Sequence, residues 1–192
     1  SQTKRGERFM VEYVFSDGVL REEVLHEIAK YDMLGIDLET RGLNPRQDDI
    51  LLVQLGWGDD IWVFDARRIN LEPLFSVLRD LNPLLISHNL KFEDKFLKHH
   101  YDYIPKRGYC TMTAHALLVN GLENRYASLR KLVNDYVGIE LNKDVRDSFR
   151  YTYGDITQRQ IDYAADDVRY LSIIFENQLK ELKRDGLIDV AT

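Results

Sequence analysis

The stretch MLGIDLE, residues 33–39, is an apolar run that carries two acids, Asp37 and Glu39. Its apolar neighbours predict a largely buried β-strand. Because successive side chains of a strand point to opposite faces of the sheet, two acids that are two residues apart share one face. Two carboxylates on one face of a buried strand are costly unless positive charge compensates them, and Mg²⁺ or Mn²⁺ prefers such oxygen ligands. The alternative is an exposed edge strand with solvated acids.

The order of predicted elements around this stretch indicates an α/β protein. Strands are predicted at 9–14, 33–39, 50–57, 61–65 and 84–87. Helices are predicted at 16–30, 70–80, 89–101, 111–120 and 128–137, followed by a long helix from 157 to about 186. Strands come first and then alternate with helices, which favours a mixed sheet flanked by helices.

The last helix has the clearest pattern. Thr157 and Gln160 form a capping box, and Ile156 and Ile161 occupy the hydrophobic staple positions. One uninterrupted helix is predicted, ending at Gly186. Its buried stripe comprises Ala164, Val168, Leu171, Phe175, Leu179 and Leu182.

Two further groups of acids lie on predicted helices. The segment SHNLKFED, residues 87–94, follows a short apolar strand and places Glu93 and Asp94 in a first helical turn. The helix dipole favours acids there with or without a function. Tyr163 and Asp167 are four residues apart and share a helix face. Asp167 borders the apolar stripe, where an unpaired charge is expensive; an ion pair or a cap for a neighbouring segment is the alternative.

Together the three groups resemble the DEDDy branch of the DnaQ-like 3′→5′ exonucleases, which have a ribonuclease H-like fold. The sequence GIDLET, residues 35–40, is similar to the first motif, and HNLKFE, residues 88–93, to the second. Tyr163 and Asp167 match the third motif. The chain looks most like the proofreading domain of DNA polymerase I-like enzymes, then like ribonuclease D and the Werner-type exonucleases.

This resemblance implies a mixed five- to six-stranded sheet flanked by helices. It extends from about Phe9 to Leu182. Residues 9–192 are therefore expected to form the 3′→5′ exonuclease domain, and residues 1–8 a disordered tail or domain edge.

The resemblance also implies a chemistry, in which two divalent cations, Mg²⁺ or Mn²⁺, assist hydrolysis of the terminal phosphodiester and release of nucleoside 5′-monophosphates. The implied catalytic residues are Asp37, Glu39, Glu93, Tyr163 and Asp167. The four acids would ligate the cations, with Glu93 or Asp94 as the acid of the second motif, and the Tyr163 hydroxyl would orient the attacking water.

Recognition of the 3′ end is assigned by the same resemblance to Thr40, Leu43 and Asn89. Leu43 would wedge against the terminal base, and Asn89 would bond the terminal nucleotide. Their alternative roles are a turn residue, a core leucine and a helix cap, respectively.

The second motif departs from the family pattern, which usually has Asp at its acid. Alignment on NLKF without a gap puts Glu93 there, and Leu97 then falls four residues later, where the family has an apolar residue. Consecutive helical residues point about 100° apart, so Glu93 and Asp94 cannot both face the site in the same way. Glu93 is favoured; a small rotation of the helix would present Asp94 instead.

Composition limits the partners. The net charge of −6 argues against a broadly basic nucleic-acid surface, although acids gathered at a cation site account for part of it. The single Cys110 excludes an internal disulfide framework and fits an intracellular, reducing compartment. No apolar run approaches the roughly 18 residues of a membrane span. Basic residues that either follow a nucleic-acid backbone or are simply solvated are Lys91, Lys95, Lys98, Arg125, Arg130, Lys131, Lys143, Arg146 and Arg150.

The expected substrate is a DNA 3′ end, in single-stranded form, because the chain contains no RNA-binding helical domain. An RNA 3′-end processing exonuclease of ribonuclease D type shares every catalytic group and is the main alternative. A non-catalytic nucleic-acid-binding or interaction domain is the second alternative. A polymerase or helicase domain is a candidate partner.

Overall fold

The computed structural model describes residues 10–14, 19–120, 122, 126–142 and 144–188. The predicted tail at 1–8, and the basic residues Arg125 and Lys143, lie outside the described residues. Within the described part of the chain, no helix is both long and apolar enough to cross a membrane.

A mixed six-stranded sheet forms the centre of the protein, as the sequence predicts. Its strands are β1 (Met10–Val14), β2 (Met33–Thr40), β3 (Ile50–Trp57), β4 (Asp60–Asp65), β5 (Leu84–Ser87) and β6 (Gly108–Cys110). Their order across the sheet is β1-β4-β3-β2-β5-β6. The neighbours β2, β3 and β4 are antiparallel, whereas β1 runs parallel to β4, and β5 runs parallel to both β2 and β6.

Helices cover both faces of this sheet. They are α1 (Glu22–Ile28), α2 (Glu72–Leu81), α3 (Leu90–Tyr101), α4 (Thr111–Val119), α5 (Leu129–Val137), α6 (Gln158–Arg169) and α7 (Leu171–Arg184), together with a 3₁₀-helix at Arg146–Tyr151.

The alternation of β2 decides which face carries the acids. Leu34, Ile36 and Leu38 are buried in the same apolar cluster as residues of α1, α2 and α3. The intervening residues therefore face α6 and α7. Gly35 allows α7 to approach closely, since a Cβ there would lie 3.1 Å from Leu171 Cδ1. Asp37 and Glu39 continue this same face toward the end of the strand.

Three features of the prediction need correction. The first helix begins at Glu22, because Arg21 has an extended backbone; the residues of the predicted start, 16–18, lie outside the described chain. The second correction is that β6 and the 3₁₀-helix were not predicted. The three residues of β6 are too few to show a periodic pattern, and the 3₁₀-helix gives no α-helical period.

The single long helix is the third correction. The capping box of Thr157 and Gln160 is confirmed, but the helix ends at Arg169, and α7 begins after Tyr170. Tyr170 is buried in a small cluster with Leu132 of α5, and the helix is interrupted at the residue whose ring packs there. The predicted stripe nevertheless continues through the break, because all its residues are buried except Leu179, which is partly buried.

Candidate active site

Acids from both ends of the chain meet beside β2. Asp37 and Glu39 on β2 and Asp167 on α6 each bring a carboxylate oxygen within 4.8 Å of the others. Glu39 is buried, with 8% of its surface exposed, whereas Asp37 and Asp167 are partly exposed. The cluster is therefore open to solvent on one side. A cleft of about 170 Å³ adjoins it and is lined in part by Tyr163 and Asp167.

Glu93, at the start of α3, is the fourth acid of this cluster. It is only 3% exposed, and Ser87 Oγ donates a hydrogen bond to Glu93 Oε2 at 2.8 Å. Its charge contributes to the raised pKa of Asp37, which places it within electrostatic reach of the first motif. Asp94 is partly exposed, and its Oδ1 is buried without a hydrogen-bond partner among the described residues. The helix thus directs Glu93, and not Asp94, toward the other acids.

Burial controls the protonation of the cluster. It raises the pKa of Asp37 and of Glu39 well above the usual range, and the charge of Asp167 raises both further. Burial also raises the pKa of Glu93 to about 8 and that of Asp167 to about 6. Without a cation, the four carboxyls therefore retain protons at a pH where solvated acids are fully ionised.

This donor set fits a hard divalent cation. All four candidate ligands are carboxylates, which Mg²⁺ and Mn²⁺ prefer, and the like charges that raise their pKa values are those that a cation would neutralise. The positive charge of Arg146, on the 3₁₀-helix, opposes the rise in the pKa of Glu39 and of Asp167. One exposed guanidinium does not balance four carboxylates, so the cluster still favours added positive charge.

Gln54 is a residue of this site that the sequence analysis did not identify. It lies opposite Asp37 in the register of β2 and β3 and is completely buried. Its Nε2 donates to Asp37 Oδ2 at 3.1 Å and to the carbonyl oxygen of Ala164 on α6 at 3.2 Å. Since the carbonyl oxygen of Ala164 can only accept, the group of Gln54 that faces it must be the amide nitrogen, which fixes the amide orientation. Gln54 therefore connects an acid of β2 to the helix that carries Tyr163 and Asp167.

Tyr163 lies one helical turn before Asp167, on the side of α6 that faces the acids. Its pKa is raised by burial and then by the charges of Asp167, Glu39 and Asp37. The hydroxyl is therefore protonated at neutral pH and can donate a hydrogen bond. The Tyr163 ring lies 6.1 Å, centre to centre, from the ring of Phe149, so the 3₁₀-helix packs directly beside the site.

His88, in the second motif, is held as a neutral ring. Its Nε2 donates to the carbonyl oxygen of Ala127 at 2.9 Å, and its Nδ1 lies 2.9 Å from Thr111 Oγ1. Burial lowers its pKa to about 4. Both ring nitrogens are thus occupied, and His88 fixes the segment before α3 instead of offering a base.

The three residues predicted to bind the 3′ end have different surroundings. Thr40 Oγ1 donates to the carbonyl oxygen of Gly42 at 2.6 Å, as a turn residue does. Leu43 is 72% exposed and is therefore not a core leucine. Asn89 precedes α3, but its exposed side chain makes no cap hydrogen bond. The side chains of Leu43 and Asn89 are accordingly available to a ligand.

The basic residues that the structure describes do not form one surface. Lys91 and Lys95 are exposed on α3, but Lys98 pairs with Asp102. Arg130 pairs with Glu140, and Lys131 pairs with Asp135. Arg146 and Arg150 are exposed on the 3₁₀-helix, next to the acids. Among the described residues, Arg146 of that helix and Arg159, which lines the cleft with Asp167, bring positive charge near the cluster.

Comparison with known proteins agrees with this geometry. A family model described as 3′-5′ exonuclease matches residues 14–183. A ribonuclease D from Zymomonas mobilis is 25% identical over 176 residues, which are 90% of this chain and 44% of the relative. A ribonuclease D from Sphingobium indicum is 28% identical over 162 residues, 83% of this chain and 41% of the relative. The chain thus spans less than half the length of these curated relatives.

The match to one solved structure of similar fold covers a larger share of the other protein than the matches to ribonuclease D do. The structure of Brucella melitensis NrnC bound to pGG has a TM-score of 0.76 and 26% identity, and the match covers 93% of this chain and 84% of NrnC. The same protein has also been solved with bound Mg²⁺, with 25% identity and a TM-score of 0.76.

Proposed function

The chain belongs to the 3′-5′ exonuclease family, and from this membership we propose that it hydrolyses the 3′-terminal phosphodiester of a nucleic acid with the help of two divalent cations. The observation that carries the proposal is the meeting of Asp37, Glu39 and Asp167 within 4.8 Å, at a cluster that Glu93 completes. The products are nucleoside 5′-monophosphates.

The four acids would hold the cations, Mg²⁺ or Mn²⁺, which supply Lewis acidity when bound by lowering the pKa of water and neutralising charge on the phosphate. The side chains of this protein do the positioning. Gln54 holds the Asp37 carboxylate, and Ser87 holds that of Glu93. The protonated Tyr163 hydroxyl orients the attacking water by a hydrogen bond, and the exposed Leu43 and Asn89 side chains contact the terminal nucleotide.

The direct test is a gel of a 5′-labelled single strand. With Mn²⁺ or Mg²⁺ we expect a descending ladder of labelled products, and with chelator none, since the ligands are all carboxylates. The Asp37→Ala variant, purified in parallel, controls for a contaminating nuclease. Activity that survives chelation, or release that begins at the 5′ end, contradicts the mechanism.

A non-catalytic nucleic-acid-binding or interaction domain is separated from this enzyme by calorimetry. Titration of the protein with Mn²⁺ should give heat that is lost in Asp37→Ala. A protein that binds no cation at these acids is a binding domain and not a nuclease.

DNA and RNA are two candidate substrates. DNA is the substrate predicted from the sequence, and a polymerase or helicase domain is then a candidate partner. RNA is favoured by a separate observation, since the curated relatives are named ribonuclease D and the NrnC structure holds pGG. Degradation of DNA and RNA oligonucleotides of one sequence, mixed in one reaction, measures the ratio of kcat/KM for the two and decides between them.

A further inference from the structure

Two tyrosines beside the site expose most of their surface. Tyr151 ends the 3₁₀-helix and is 74% exposed, and Tyr153 follows it and is 77% exposed. Single exposed apolar side chains are common and need no explanation. These two rings, however, are separated by one residue and follow the exposed Arg150, and aromatic rings beside positive charge are what single-stranded nucleic-acid grooves use.

The backbone that carries the two rings is firmly held. Buried Gln160 of α6 donates from Nε2 to Ser148 Oγ at 3.0 Å and to Thr152 Oγ1 at 2.8 Å. Arg41 Nη1 donates to the carbonyl oxygen of Thr152 at 2.9 Å, and Arg67 Nη1 donates to that of Gly154 at 2.9 Å. The exposure of the rings is therefore not the result of a loosely attached segment. The fold presents them to solvent from an anchored backbone.

Arg41 supports one face of the Tyr153 ring. Its guanidinium carbon lies 4.2 Å from the ring centre, and the Arg41 side chain is only 18% exposed. The arginine thus lies beneath the ring, and the exposed face is the opposite one. A ring with a cation against one face and water against the other can accept a base by stacking.

The segment that carries the rings also packs beside the acids. The ring of Phe149, on the 3₁₀-helix, lies 6.1 Å, centre to centre, from the ring of Tyr163, and Arg41 is two residues after Glu39. A 3₁₀-helix rises about 2 Å per residue, so Tyr151 lies roughly 10 Å from Arg146 along its axis. Stacked nucleotides rise about 3.4 Å each, so the length of the helix from Arg146 to Tyr151 corresponds to roughly three nucleotides.

We propose that Tyr151 and Tyr153 form a stacking platform for the bases that lie just upstream of the 3′ end of a single-stranded nucleic acid. This inference rests on the proposed function, because it takes the 3′ end to be at the acids. The exposed guanidinium of Arg150 supplies the charge that a phosphate backbone needs. The platform makes the enzyme select strands of several nucleotides over dinucleotides, without reading the base sequence.

The kinetic test compares substrate lengths in the Tyr151→Ala/Tyr153→Ala double variant. Stacking is worth about 1–3 kcal/mol per base, so loss of two stacked bases should raise KM for a hexanucleotide by roughly 30-fold or more. The loss on a dinucleotide should be at least about tenfold smaller, because it does not reach the platform. Replacement by Phe should preserve stacking, whereas replacement by Leu should not. Equal losses on both lengths overturn the proposal.

A binding test separates this proposal from the proposed function. A hexanucleotide with 2-aminopurine at the third position from the 3′ end is titrated with protein in chelator, where no hydrolysis is expected. Fluorescence should be quenched by the parent protein and by the Phe variants, and not by the double Ala variant. Leu81→Ala is the matched control, since Leu81 is 48% exposed on α2, across the sheet from the acids. Quenching unchanged in the double Ala variant refutes the platform, whereas a protein that binds but never hydrolyses refutes only the proposed function.

Discussion

Glu93→Gln and Asp94→Asn form a matched pair of substitutions that tests the acid of the second motif. Each replaces a carboxylate by an amide of nearly the same shape at adjacent positions of α3. Glu93 is 3% exposed and accepts a hydrogen bond from Ser87, which the amide oxygen of Gln can still accept. Because the pKa of Glu93 is raised to about 8, its carboxyl is mostly protonated without a cation, and a neutral amide should be tolerated there.

The cost of Glu93→Gln should therefore appear only when cations bind. Loss of one ligand in a two-metal site is expected to remove about 4 kcal/mol of transition-state stabilisation, or on the order of 10³-fold in kcat. Asp94 is partly exposed and directed away from the cluster, so Asp94→Asn should change kcat by roughly twofold, the size of an ordinary surface effect of about 0.5 kcal/mol.

The assay is single-turnover hydrolysis of a 5′-labelled strand at saturating Mn²⁺, with melting temperatures in chelator measured for both variants. Equal melting temperatures show that differences in rate do not come from unfolding. The opposite ranking, with Asp94→Asn inactive and Glu93→Gln active, would move the ligand role to Asp94 and refute the helix orientation described above.

Four other changes have defined outcomes. Asp37→Ala should abolish the ladder yet raise the melting temperature in chelator, because it removes a carboxyl from a crowded buried cluster. Tyr163→Phe should slow hydrolysis by roughly 10²-fold while calorimetry shows unchanged Mn²⁺ binding, since the hydroxyl orients water and not a cation. Gln54→Met should weaken Mn²⁺ binding by about tenfold, since it removes a hydrogen bond to the Asp37 carboxylate. The control is Gln178→Met, at an equally buried glutamine that is bonded to Thr111 and Tyr109, and it should only lower the melting temperature. In chelator, the protein should melt at a lower temperature at pH 8 than at pH 5.5. Acids with a raised pKa stabilise the fold below their usual pKa, and they lose that contribution as the pH rises through about 6 for Asp167 and about 8 for Glu93. With Mn²⁺ this difference in melting temperature should shrink.

The sequence predicts the arrangement of the acids wherever local periodicity is enough. Alternation along β2 places Asp37 and Glu39 on one face, and the helical repeat places Tyr163 beside Asp167. Alignment without a gap puts Glu93 at the second motif, and the buried position of Glu93 agrees with it. The first two of these inferences need only the geometry of a single element, whereas the third comes from the resemblance to the exonuclease family.

Residues that act between elements could not be found in this way. Gln54 matters because it lies opposite Asp37, and that register is fixed by the pairing of β2 with β3, not by any pattern near Gln54 itself. The role of His88 depends on Ala127, which lies far along the chain and whose carbonyl oxygen accepts the ring proton, so no local pattern predicts it. The break at Tyr170 likewise depends on where α5 packs.

The way the acids are held connects stability with activity. An isolated buried carboxylate can avoid the cost of desolvation by turning toward water or by keeping its proton. Here the first route is restricted, because Gln54 holds Asp37 and Ser87 holds Glu93 in place. The cluster therefore keeps protons in the absence of a cation, and binding of a cation must release them. The fold thus tolerates a destabilising arrangement of charge so that the ligands need little reorganisation when cation and substrate bind, and this is why loss of Asp37 is expected to improve stability while it destroys activity.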